Sequence, residues 1–169
     1  GTSPVIATIT VTPTFENGGV SCTGPATPFE ITVNPTAQVN PTVDMVVTDG
    51  DDIDIPFSTI NTGGTSTYTW TNTDPTTGLT NTGSSDIGFT AVNTGTSPIT
   101  TTVVVTPTFE NGGNSNSGPT DTFIITVNPT AQIDPIDSLV FCDEDVIDPI
   151  VFTTQNTGGT TTYTWTNDN

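Results

Sequence analysis

Few residues in this chain can do chemistry, and most of them are carboxylates. Asp49, Asp51, Asp52 and Asp54 share the run DGDDID, and a later run, DEDVID, carries Asp143, Glu144, Asp145 and Asp148. Clustered carboxylates suit hard cations, and Ca²⁺ takes about six to eight oxygens. The spacing raises a calcium site on Asp49, Asp51, Asp52, Asp54, Asp143 and Asp145, with Asp134 and Asp137 nearby at a linker. DGDDID does not match the EF-hand pattern, and the competing reading is a solvated acidic loop that keeps the chain soluble. No other cofactor is expected. Two cysteines, Cys22 and Cys142, complete the reactive set.

The rest of the composition removes other chemistry. The 169 residues include no Lys, Arg or His, and 18 Asp plus Glu give a formal charge of −18. Without imidazole or amine there is no Ser-His-Asp triad, histidine metal site, Schiff base or P-loop lysine. Without cations there is nothing to neutralise nucleic-acid phosphates or to meet an anionic membrane surface. No apolar run reaches the ~20 residues of a spanning helix. A carboxylate pair could hydrolyse glycosides, but it needs an aromatic-lined cleft. Here Tyr68 and Trp70 fall on the face expected to be core, and the dense acids sit in a turn. The expected protein is not an enzyme.

High charge and 31% hydrophobic residues raise the possibility of disorder. The periodicity opposes it. Val5, Ala7, Ile9 and Val11 alternate with Thr8, Thr10 and Thr12, and Ile99, Thr101, Val103 and Val105 alternate with Thr100, Thr102 and Thr106. Phe123, Ile125 and Val127 do the same, as do Tyr68 and Trp70. Period-two alternation marks half-buried strands, and Thr, a quarter of the chain, is a strand former. Seven strands are expected per unit, near 43–48, 53–60, 65–72, 77–82, 86–93, 98–109 and 120–128, with no helix. Turn signals such as Asp49-Gly50, Gly63-Gly64 and Gly112-Gly113 separate them.

The chain also repeats itself. TPTFENGG stands at 12–19 and 106–113, and ITVNPTAQ at 31–38 and 125–132, both 94 residues apart. NTGGTSTYTWTN at 61–72 returns as NTGGTTTYTWTN at 156–167, 95 apart, so the later copy carries one insertion between the counterparts of Asp49 and Phe57. The linker NPTAQ sets the frame. Residues 37–130 form one complete unit, 1–36 the C-terminal part of a preceding one, and 131–169 the N-terminal part of a following one. A longer array is the expected parent. About 94 residues is too long for a solenoid repeat and ordinary for an independent domain. The expected fold is all-β: tandem immunoglobulin-like, seven-stranded β-sandwich domains in an extended array.

The segments VTPTFENGG at 11–19, CTGP at 22–25, FEITVNPTAQV at 29–39, VFCDED at 140–145 and YTWTN at 163–167 resemble the PKD-like domains of giant Bacteroidetes surface proteins. The resemblance covers the whole chain. It implies an extracellular β-sandwich, export by the type IX system, and a role in adhesion or gliding motility.

Cys22 corresponds to Asn116 of the complete unit and Cys142 to Thr48, so that unit lacks both. One reading pairs the two positions within a domain, between the first strand and the last hairpin. Cys22 and Cys142 would then each bond a partner outside the fragment, in an oxidising compartment. The other reading is two unrelated buried thiols.

The expectation for function is mechanical: a repeat segment of a long cell-surface adhesin filament. Its partners would be neighbouring repeats of the same chain and a surface polysaccharide or substratum. The alternatives are a polysaccharide-binding or spacer module of a secreted carbohydrate-active protein, or an S-layer or matrix protein.

Overall fold

The computed structural model describes residues 1–168. Among the described residues the regular structure is one short 3-10 helix and twelve strands: β1 (Val5–Val11), β2 (Thr14–Asn17), β3 (Val20–Thr23), β4 (Thr27–Val33), β5 (Met45–Thr48), β6 (Asp52–Ile55), β7 (Thr65–Asn72), β8 (Thr82–Ser84), β9 (Ile87–Thr90), β10 (Ile99–Asn111), β11 (Asn114–Ser117) and β12 (Asp121–Asn128). Among the described residues no helix is long and apolar enough to cross a membrane.

Between the two NPTAQ linkers the strands form two sheets. The larger runs β5-β12-β10-β7-β8, with β11 also paired to β10, and the smaller is the β6-β9 pair. All contacts are antiparallel except β5 beside β12, where Met45 faces Ile125 and Thr48 faces Asn128. The alternation sets the faces. Val103, Val105, Phe123, Ile125 and Val127 from the larger sheet meet Ile55 and Ile87 from the smaller, with Trp70, Leu79 and Ala91 in the same cluster. The chain is all-β with several sheets, and the shared core is consistent with a β-sandwich.

Three strand expectations change. The 53–60 strand stops at Ile55, because Phe57 N–H donates to Asp86 Oδ1 at 2.8 Å instead of joining the ladder. Phe57 is still buried, its ring 5.5 Å from that of Tyr68. The 77–82 strand is replaced by a short 3-10 helix, Pro75–Thr77, capped by Asp74, and strand pairing begins only at Thr82. Buried Asn72 imposes that turn: its Nδ2 donates to Asp74 O at 3.0 Å and Leu79 O at 2.8 Å, and its Oδ1 accepts from Thr101 Oγ1. The last hairpin is longer than expected, since β10 continues to Asn111 and returns through β11.

The flanking segments repeat the same local pairings. Val5 faces Val33 and Phe15 faces Cys22, as Ile99 faces Val127 and Phe109 faces Asn116. Residues 131–168 hold no strand, yet the Phe152 and Tyr163 rings stand 5.6 Å apart, as Phe57 and Tyr68 do. The apolar positions in both flanks remain exposed: Phe15 is 73% exposed where Phe109 is 0%, and Trp165 is 74% exposed where Trp70 is 7%.

Candidate functional site: the linker junctions

The richest polar network lies where the NPTAQ linker meets the NTGG turn. Asn61 is its centre. Its Oδ1 accepts from Gln38 N–H at 2.7 Å and from Thr59 Oγ1 at 3.1 Å. Its Nδ2 donates to Thr36 O at 3.1 Å and, at 3.4 Å, to Thr2 O in the preceding segment. Thr62 N–H also donates to Thr2 O, at 2.8 Å. Asn61 is 9% exposed, so its amide replaces water for backbone groups that a Pro-containing linker cannot pair in a ladder.

The same clamp recurs at the second linker. Asn156 Oδ1 accepts from Gln132 N–H at 2.7 Å and from Thr154 Oγ1 at 3.0 Å. Its Nδ2 donates to Thr130 O at 3.2 Å, and Thr157 N–H donates to Thr96 O at 2.8 Å. Pro4 lies over Gly63 as Pro98 lies over Gly158. Both glycines have positive φ, +78° and +76°, a region that costs other L-residues energy.

At the first linker the long hairpin adds a second set of contacts. Asn34 Nδ2 donates to Asn111 O at 3.0 Å, and Asn111 Nδ2 donates to Asn34 Oδ1 at 2.9 Å. Asn116 Nδ2 donates to Pro35 O at 3.1 Å. Gly118 packs flat on the linker, where a Cβ would fall on the Ala37 carbonyl, and Ala37 is fully buried. These asparagines and Gly118 escape a reading that looks for ionisable groups. The signal that could have found Asn34 and Asn61 is the verbatim return of NPTAQ and NTGG, which strand formation alone does not require; Asn116 and Gly118 lie outside both motifs.

The acidic loop is built as a turn. Asp51 Oδ2 accepts from Thr48 N–H at 2.8 Å, and Asp145 Oδ2 from Cys142 N–H at 2.6 Å. Between each pair stands a residue with positive φ, Gly50 and Glu144. Asp49 accepts from Asn93 N–H at 2.8 Å and from Thr130 Oγ1 at 2.9 Å, tying the loop to the second linker. Those donors, the Asn93 amide first and the Thr130 hydroxyl second, hold the Asp49 carboxyl below its ordinary value. Asp52 Oδ1 accepts from Thr90 Oγ1 at 2.8 Å. Asp54 stands on β6, opposite Gly88, and Asp143 is in the irregular segment after β12. Asp134 Oδ2 accepts from Thr153 Oγ1 at 2.7 Å. Among the described residues no three acidic or Cys side chains stand together to hold a metal ion.

Cys22 and Cys142 are free and exposed. The intact unit corrects the within-domain pairing of their equivalent positions. Thr48 faces Asn128 at one end of the larger sheet, while Asn116 faces Phe109 near the other. Ten residues of β10, from Ile99 opposite Val127 to Phe109, separate the two ends. At ~3.3 Å per residue that is roughly 33 Å. A disulfide needs Cα atoms within about 7 Å, so these two positions cannot bridge inside one unit.

No protein-family model matches the chain, and no curated protein matches it either.

Proposed function

We propose that the chain is a repeat segment of an extracellular cell-surface adhesin filament, and that its work is to project and hold rather than to transform a substrate. The fold behind this reading is a series of immunoglobulin-like, PKD-like sandwiches joined through NPTAQ linkers. The strand order β5-β12-β10-β7-β8 facing β6-β9, with a Trp on the third strand of the unit, supports that assignment.

One observation carries the proposal: the same hydrogen-bonded clamp closes both linkers, on Asn61 and on Asn156. A flexible tether needs no such clamp. A stalk does, because every unclamped hinge adds bending freedom, and reach is lost as hinges accumulate. The linker prolines Pro35 and Pro129 restrict φ on the same side of the clamp. A chain without cations has no salt bridges to stiffen it, so amide hydrogen bonds do that work.

Immunogold electron microscopy with antibody raised against the 169-residue chain tests the reading. Gold aligned along thin beaded threads outside the cell is the expected result. Label confined inside the envelope overturns it. On a glycan array the chain is expected to bind nothing selectively, and selective binding would transfer the function to polysaccharide recognition.

A further inference from the structure

A reactive dipeptide stands against the first linker. β10 turns into β11 through Asn111, Gly112, Gly113 and Asn114, and the ladder closes with Asn111 opposite Asn114. Both glycines have positive φ, +62° and +76°, as a two-residue hairpin turn of this hand requires. Gly112 is thereby left open in two ways. Nothing lies within 4 Å of the place a Cβ would take, and among the described residues its N–H has no acceptor. A carboxamide followed by an unhindered, unpaired glycine N–H can be attacked by its own main chain.

We propose that Asn111 is a self-modification site, and that its deamidation releases the hairpin from the first linker. Hydroxide takes the Gly112 amide proton, and Gly112 N bonds to Asn111 Cγ. The Cγ–Nδ2 bond breaks, and Nδ2 leaves as ammonia with a proton from water. A second water opens the resulting succinimide at one of its two carbonyls, leaving aspartate or isoaspartate. Water and hydroxide are the only co-reactants, and no electron changes hands.

The contacts of Asn111 give that step a consequence. Its Nδ2 donates to Asn34 Oδ1 at 2.9 Å, and Asn34 Nδ2 donates back to Asn111 O at 3.0 Å. Aspartate at position 111 has no N–H to give, so two acceptors face each other. If Asn34 turns its amide round to donate to the new carboxylate, its bond to the Asn111 carbonyl is lost. Isoaspartate adds a methylene to the main chain and moves that carbonyl itself. Either product puts a further negative charge next to Glu110, in a chain with no Lys, Arg or His to balance it.

The same pair of bonds sets the rate. Ring closure turns the Asn111 side chain about χ1 and its backbone about ψ, and the two bonds to Asn34 resist both rotations. A closed clasp therefore protects Asn111, and a clasp that has worked loose exposes it. Release and modification reinforce each other, so a transient opening of the linker becomes a permanent one. The dipeptide recurs at Asn17-Gly18 in the same kind of turn, with Gly18 at φ +61°, but Asn34 bonds only the β10–β11 hairpin. Asn17 is thus an internal reference for the intrinsic reactivity. The inference rests on the geometry around Asn111 and does not depend on an adhesive role.

Prolonged incubation of the full chain in mildly alkaline buffer tests it, with peptide mass spectrometry to locate the exchange of NH2 for OH and isoaspartyl methyltransferase labelling to detect isoaspartate. Conversion is expected at Asn111. Asn34→Ala is expected to raise the rate there several-fold and to leave the rate at Asn17 unchanged, while Asn111→Gln abolishes conversion at that position. Asn111→Asp, which carries the product from the start, is expected to speed hydrogen exchange of the Thr36, Ala37 and Gln38 amides several-fold, with the fluorescence of buried Trp70 unchanged as the check on folding. An Asn111 that stays intact even in Asn34→Ala while Asn17 converts would overturn the inference. So would equal rates at Asn111 with and without Asn34, or linker exchange in Asn111→Asp that matches wild type.

Discussion

Gln38 N–H donates to Asn61 Oδ1 at 2.7 Å, and Gln132 N–H donates to Asn156 Oδ1 at the same distance. One side chain thereby reads the linker backbone from the side, and does so at both linkers. At the first linker the asparagine is largely buried, so losing its amide leaves Gln38 N–H and Thr36 O without their partner. Asn61→Ala is expected to cost about 1–3 kcal/mol in urea unfolding. Asn156→Ala, at a half-buried copy of the clamp, is expected to cost less, about 0.5–1 kcal/mol. Equal losses at both sites would mean that burial is not what gives the clamp its strength.

Gly118→Ala places a methyl on the Ala37 carbonyl, and backbone cannot swing aside as a side chain can. Overpacking of this kind costs roughly 1–3 kcal/mol. Gly24, the matching glycine of the first segment, meets only Pro13. Gly24→Ala is expected to leave the unfolding midpoint unchanged.

The two tryptophans give the sharpest contrast. Trp70 is 7% exposed and Trp165 74%. Trp70→Ala is expected to destabilise the unit by about 3–5 kcal/mol. For Trp165→Ala the expected change is within about 0.5 kcal/mol. Near-equal effects would show that the unit between the linkers does not close its own core.

Acid should weaken specific anchors. Asp49 is held below the ordinary carboxyl value of 3.8 by Asn93 N–H and then by Thr130 Oγ1; Asp74 is held low by the hydroxyl and then the amide of Thr76. A depressed folded value means the ionised form is favoured in the fold. The resulting stability is fully present above the unfolded value and is lost as pH falls through the folded one. Asp49→Asn and Asp74→Asn should therefore differ from wild type at neutral pH and converge on it as pH falls through the lowered folded value. A gap that persists at low pH would assign the effect to packing rather than charge.

Calcium gives a direct check on the acidic loop. Asp49, Asp51 and Asp52 each already accept a hydrogen bond from the protein, and no trio of donors converges among the described residues. The melting temperature is expected to stay the same on adding millimolar Ca²⁺ or a chelator. A rise with Ca²⁺, reversed by chelator, would make the loop a metal site.

The sequence by itself determined the strands, their inward faces and the repeat. Alternation places Val103, Val105, Phe123, Ile125 and Val127 on one side whatever the partner strand is, because side-chain direction in a strand is a local property of period two. The 94-residue offset is likewise a matter of counting. Only the tertiary structure decided what depends on distant residues meeting. Asn72 turned an expected strand into a capped 3-10 helix by bonding Leu79 O and Thr101, residues that no local window joins to it. The ends of the larger sheet separated Thr48 from Asn116, which the joint absence of cysteine at both positions of the complete unit had put together. The junction asparagines became a site only when the NTGG turn folded back over a linker more than twenty residues earlier in the chain. A hydrogen bond is a fact of two positions in space, and one-dimensional pattern specifies at most the direction each side chain takes from its own backbone.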